Sequence, residues 1–279
     1  MDRSRAHRTQ LTARDLELLG FIAEHRLVLP RHAQVFLGVS AGTAYARLRR
    51  LTDAGYLVHD HKLYREPGYY QATRQGLATV GVGYRPRPVD LNLYRHDVGT
   101  AWLWLAGRRG VFGPMRAVIG ERRMRSQDGA APATQEPFGV RLGGYGPGGR
   151  PRLHYPDLLF VTPKGKRIAV ELELTGKGRA RREKILSGYA ADPRVDAVLY
   201  LVHHRNHPLA RSIEDSARRA GIGSIVQVQP FRWGASHRDR GAAPAAERSV
   251  ARGRESSHAP VGRGRESSHA LAPRPGVER

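Results

Sequence analysis

Apolar residues recur at helical spacing from the start of the readable pattern. Leu16, Leu19, Phe21 and Ile22 follow Leu11-Thr12, and Thr12 is placed to cap the helix they predict. Pro30 predicts the start of a short second helix carrying Ala33, Val35, Phe36 and Leu37. Gly38-Val39 turns the chain, and Ser40 caps a third helix over 41–54. There Ala44, Leu48 and Leu51 repeat at four and three, and Gly55 ends the run. Tyr56-Leu57-Val58 reads as a strand, 59–68 as a hairpin tip and Tyr69-Tyr70 as the returning strand. Thr73 then opens a fourth short helix through Leu77.

After a Pro-rich break at 85–90 the pattern resumes with a helix over 91–108, whose Leu93, Val98, Trp102 and Leu105 fall mostly on one side. Strands are predicted at 115–119 and 154–161, a hairpin turn at 162–166 and a partner strand at 167–175. In that last strand Ile168, Val170, Leu172 and Leu174 point one way, and Ala169, Glu171, Glu173 and Thr175 the other. A helix over 177–189, a strand over 195–202, a helix over 209–220 and a strand over 224–228 complete the order. The pattern predicts an α+β or α/β chain in three parts: a helix–hairpin domain over 1–88, an α/β domain over 89–234 and a tail. Residues 126–152, rich in Gly, Ala and Pro, read as a long mobile loop inside the second domain. Residues 235–279 hold almost no large apolar side chain and repeat RGRESSHA at 252–259 and 263–270, so a disordered tail is expected.

Charge changes this picture from fold to partner. The 279 residues carry 47 Lys+Arg against 25 Asp+Glu, a net +22. Residues 1–90 contribute +6, 91–234 contribute +12 and the tail +4, so both predicted domains are basic. Such a balance points to a polyanion, and double-stranded DNA is the expected partner. No cysteine is present, which excludes disulfides, thiolate chemistry, Cys-based zinc sites and Fe–S clusters. No apolar run is long enough to span a bilayer and the N-terminus lacks an apolar signal core, so a cytoplasmic protein without membrane contact is expected.

Three helices followed by a two-stranded hairpin is the order of a winged helix-turn-helix. The string from Val39 through Val58 and on to Gly81 resembles bacterial winged-helix regulators. A helix of that kind enters the major groove, and a basic wing reaches the adjacent backbone. The DNA-binding residues this implies are Thr43, Tyr45, Arg47, Arg49 and Arg50 on the third helix and Lys62 and Arg65 on the wing. Two alternatives stay open: the arginines form a solvated face, or the domain docks on a protein.

In the second domain, Glu171 and Glu173 sit two apart on one strand face, with Asp157 on the neighbouring strand. Carboxylates that close repel unless one is protonated or a cation lies between them. Mg²⁺ is the cation with suitable oxygen chemistry, and it can activate water at a phosphodiester. The order, with Pro156-Asp157 and Glu171-x-Glu173, resembles the PD-(D/E)xK nuclease superfamily, the restriction-endonuclease-like fold. The resemblance implies Asp157 and Glu171 as metal ligands. The position of the family's lysine holds Glu173, a departure, and Lys177 or Lys184 is available to replace it. The catalytic set is then Asp157, Glu171, Glu173 and Lys177. An ordinary acidic sheet face and a degenerate nuclease fold remain open beside it.

From about Leu11 to Phe231 the chain resembles the replication-relaxation family of actinobacterial plasmids and mobile elements. The features that carry the likeness are Ala54-Gly-Tyr-Leu57, His96, Asp157, Glu171-Leu-Glu173, Lys184 and Tyr189. It implies DNA binding in plasmid replication, DNA relaxation or transfer. The alternatives are an active Mg²⁺-dependent endonuclease and a winged-helix adaptor or transcriptional regulator that binds a replication or transfer protein. The glycine run 143–149 lacks the Lys-Ser/Thr of a phosphate loop.

Overall fold

The computed structural model describes residues 10–232, apart from 133, 177 and 205. The described residues form a mixed α+β structure of eight α-helices and nine strands. Local signals set the first half. Helix α1 (Ala13–Glu24) starts with a reciprocal cap: Thr12 Oγ1 accepts the Asp15 N–H, and the Asp15 carboxylate accepts the Thr12 N–H at 2.9 Å. Helices α2 (Pro30–Leu37) and α3 (Ala41–Asp53) follow, with Ser40 Oγ accepting the Thr43 N–H. Strands β1 (Leu57–Asp60) and β2 (Tyr69–Ala72) pair antiparallel, and Thr73 caps α4 (Arg74–Thr79). Every element expected in this half is present within two or three residues.

The second half is a five-stranded sheet in the order β3-β6-β7-β8-β9. Helix α5 (Tyr94–Arg108) leads to β3 (Ala117–Gly120), and β6 (Leu158–Val161) and β7 (Arg167–Glu173) continue it antiparallel. Helix α7 (Arg179–Ala191), β8 (Ala197–His203), α8 (His207–Arg219) and β9 (Val226–Phe231) extend it in parallel, as crossover helices require. Val170, Leu172, Leu199 and Leu201 face α5; Ala169, Val198, Tyr200 and Val202 face α7 and α8. Both faces are therefore covered, and Glu171 and Glu173 lie in the interior.

Two expectations need correction. The long loop expected over 126–152 is instead largely regular: the end of α6 (Glu121–Ala130), then a hairpin of β4 (Val140–Tyr145) and β5 (Pro151–His154) joined through a 3₁₀ turn at Pro147–Gly149. The helix escaped notice because Met124 is its one buried residue, so it has almost no apolar stripe to read. The hairpin is not legible because five glycines and two prolines interrupt any alternation. The strand expected over 154–161 divides at Tyr155–Asp157: His154 belongs to β5, and only Leu158 onward joins the main sheet. The expected tail over 235–279 lies outside the described residues.

One apolar cluster runs across the break at 85–90. It joins Leu18, Phe21, Ile22 and Leu48 to Trp104, Leu105, Phe160 and Leu172. Polar ties follow the same seam: the Gly120 N–H donates to Glu24 Oε1 at 2.6 Å, and Arg109 donates to the Val35 carbonyl at 2.6 Å. His25 lies fully inside this seam against Phe21 and Trp104. Burial, then Arg122, drives its pKa down to about 3, so it is neutral.

Candidate functional site

On the first unit, the expected DNA-contacting residues divide into two sets. Arg47 and Arg50 turn inward to Asp15, a buried residue on α1. Arg47 Nη1 lies 2.8 Å from Oδ1 and Arg50 Nη2 2.5 Å from Oδ2. Burial works to raise the Asp15 pKa, but the Thr12 hydrogen bonds and the two guanidinium charges outweigh it and the carboxyl is held below its ordinary value. These two arginines therefore clamp α3 to α1.

The others face out. Thr43, Tyr45 and Arg49 are exposed on α3, and Arg49 makes only a loose 3.7 Å surface pair with Asp53. On the hairpin tip Lys62 sits 3.1 Å from Asp60, and Arg65, at φ 65°, lies over the exposed Tyr64 ring at 5.0 Å. The tip thus presents an aromatic ring beside two cations.

The second unit gathers the carboxylates, and gathers histidines with them. Asp157 Oδ2 accepts the Leu172 N–H at 2.8 Å, which ties the start of β6 to β7. The same oxygen lies 3.1 Å from His96 Nε2 on α5. Burial opposes charge on His96, but Asp157 and Asp97 outweigh it and raise its pKa to about 10. His96 is thus an imidazolium, the counter-ion of Asp157. Glu171, almost wholly buried, accepts at Oε1 from the Tyr189 hydroxyl on α7 at 2.5 Å, and His154 Nε2 on β5 lies 2.6 Å away. Tyr200 stands opposite Glu171 in the β7–β8 register. Burial first, then the Glu171 charge, push its hydroxyl and that of Tyr189 well above the ordinary phenol value, and Glu173 adds to the effect on Tyr200. Below them the buried Arg182 donates to Ser212 Oγ at 2.6 Å and approaches Ser216 Oγ at 3.4 Å.

Asp157, Glu171 and Glu173 are therefore brought to one end of the sheet, as their spacing suggests. Lys177 lies outside the described residues, and Lys184 is exposed on α7. The carboxylate charge is met by side chains, which bears on Mg²⁺. Among the described residues no three His, Asp or Glu side chains form a group that could hold a metal ion. The oxygens of Asp157 and Glu171 already face donors from His96, Leu172, Tyr189 and His154. In this arrangement the residues do not fit a bound Mg²⁺, which would need one imidazole to swing away. Hydrogen bonds thus link carboxylate, imidazole and phenol, and the His96 charge offsets that of Asp157.

Sequence reasoning passed over His154 and Tyr200, counted Arg182 only among the outward basic residues of its helix, where the structure instead buries it, and gave Tyr189 no role. His154 carried a readable signal, a histidine three residues before Asp157, which the continuous-strand reading hid. Tyr200 and Arg182 look like ordinary strand and surface-helix positions and carried no signal. Comparison of the chain with protein-family models, with curated proteins and with solved structures finds no match.

Proposed function

We propose that this is a DNA-binding protein of the replication-relaxation kind, acting in replication, relaxation or transfer of a plasmid or mobile element. In this reading the first unit is a winged helix-turn-helix that docks on duplex DNA, and the second is a nuclease-like unit that holds a further stretch of backbone. The observation that carries the reading is the outward set on α3 and the hairpin: Thr43, Tyr45 and Arg49 beside Lys62 and Arg65, in a chain of net charge +22. Arg47 and Arg50, paired to Asp15, support the helix that presents this set.

The test is fluorescence anisotropy of a labelled duplex against salt. Binding should weaken steeply, with log K falling by about 0.9 per phosphate contact for each unit of log salt. Arg49→Ala and Lys62→Ala should each lower affinity and flatten that slope. Binding that ignores salt, or no binding, sinks the reading.

A second reading, a Mg²⁺-dependent endonuclease, rests on the approach of Asp157 to β7, where its Oδ2 accepts the N–H of Leu172 between Glu171 and Glu173. Supercoiled plasmid with Mg²⁺ or Mn²⁺ separates the two. We expect retardation without nicking; nicking that disappears in both Asp157→Ala and Glu171→Ala would replace the first reading by the second.

A further inference from the structure

The β4–β5 hairpin is rooted at the carboxylate site and projects from it. At its base Val140 pairs with His154, which contacts Glu171, and Val140 and Leu142 pack on α7. The packing is close: a Cβ at Gly188 would meet the Arg141 carbonyl oxygen at 2.9 Å. Residues 140–154 contain three arginines and no carboxylate. Alternation along β5 puts Arg152 and, in extended backbone just before the strand, Arg150 on the same face as His154. A cationic row therefore leads outward from the imidazole that touches Glu171. On α7, Lys184 and Arg181 precede Gly188 by four and seven residues, so they share the face that meets the hairpin. Both are exposed, and neither has an ion pair among the described residues.

The tip adds an aromatic ring. The pairing slips between Arg141 and Tyr145, where Gly143 and Gly144 take φ of 75° and 70°. Only glycine adopts two such angles in succession without strain, and a bulge of this kind re-aims the side chain that follows it. Tyr145 is left 73% exposed, with no ring or hydrogen-bond partner among the described residues. Protecting a sheet edge asks for charge or proline; it does not ask for an exposed aromatic residue. Basic side chains that track a backbone, beside an aromatic ring open to stacking, form the chemistry that binds single-stranded nucleic acid.

We propose that hairpin β4–β5 and the adjoining face of α7 bind single-stranded DNA, with Arg150, Arg152, Lys184 and Arg181 following the phosphates along one face and the strand turning over the tip, where Tyr145, on the Pro151 face, stacks on an unpaired base. This rests on the DNA-binding reading and adds to it a strand-selective arm beside the carboxylate site. The arm fits a protein that meets DNA where the duplex is open.

The test uses the full chain with two probes, a fluorescein-labelled oligothymidylate and a blunt duplex. Tyr145→Ala should weaken oligothymidylate binding by roughly 5- to 100-fold and leave the duplex affinity unchanged, while Tyr145→Phe retains both. Arg150→Ala with Arg152→Ala should reduce the salt slope on oligothymidylate by about 1.4, at roughly 0.7 per contact. Unchanged oligothymidylate binding by Tyr145→Ala, or an equal loss on both probes, overturns the proposal. If the native chain binds duplex and ignores oligothymidylate, the arm alone falls. If it binds neither, the DNA-binding reading falls with it.

Discussion

Asp15, fully buried, and Asp157, partly buried, are carboxylates held by cations from a neighbouring helix, and they differ in what that cation is. Asp15 takes two guanidiniums, from Arg47 and Arg50. Asp157 takes one imidazolium, from His96. A guanidinium stays charged at any pH a protein survives, so the Asp15 cluster holds until the carboxylate itself is protonated in acid. An imidazolium can lose its proton, so the Asp157 pair has a condition under which it lets go. The first unit uses Arg47 and Arg50 to hold Asp15 and leaves Arg49, Lys62 and Arg65 turned to solvent. The second keeps its carboxylates under histidine and leaves Arg150, Arg152, Arg181 and Lys184 outside.

The largest effect should come from breaking the clamp. Asp15→Ala removes the α1 cap and strands two arginines, and should lower unfolding free energy by about 3–4 kcal/mol, read by urea denaturation. A loss below about 1 kcal/mol would mean that solvent already satisfies both arginines. The two pairs should also fail at opposite ends of the pH scale. Asp15 has a lowered folded pKa, so its contribution is present above the ordinary aspartate value near 3.8 and is lost as pH falls through the folded value. His96 has a folded pKa raised to about 10, so its contribution is complete below its ordinary 6.5 and is lost as pH rises toward 10. The alkaline loss should be about 3 kcal/mol in the native chain and largely absent from His96→Gln, measured by urea midpoints from pH 7 to 10. Equal alkaline slopes in the two proteins would remove His96 as the counter-ion.

Smaller effects sharpen the contrast. Gly188→Ala should push the Arg141 carbonyl and the hairpin root away from α7, costing about 1–2 kcal/mol and altering the His154–Glu171 contact, which a change in the His154 ring chemical shifts would register. Arg49→Ala should change stability by no more than about 0.5 kcal/mol while lowering duplex affinity, because its partner Asp53 is an exposed neighbour on the same helix. Arg47→Ala should do the reverse, costing stability first. If both substitutions affect binding alone, the division into clamp and contact residues is wrong.

How much the sequence revealed varies along the chain. The caps at Thr12, Ser40 and Thr73 bond to backbone three residues away, so their meaning is visible locally, and the first unit matches its reading almost element for element. The alternation at 168–174 likewise separated Glu171 and Glu173 from Val170 and Leu172. It left open that the polar-looking face is buried, because that depends on α7 and α8 packing over it. Helix α6 and the β4–β5 hairpin carry too few apolar residues for any period to show.

Composition, caps, turns and alternation determined the basic character, the order of most elements and the convergence of Asp157 with Glu171. These depend on short-range sterics and on which face of an element is apolar, and both are written in neighbouring residues. Only the tertiary structure decided that Arg47 and Arg50 turn inward, that His96 and His154 meet the carboxylates and that Tyr145 stands free at the end of an arm. Each of those outcomes joins groups far apart in sequence, and the energy of a buried charge depends on what packing brings beside it.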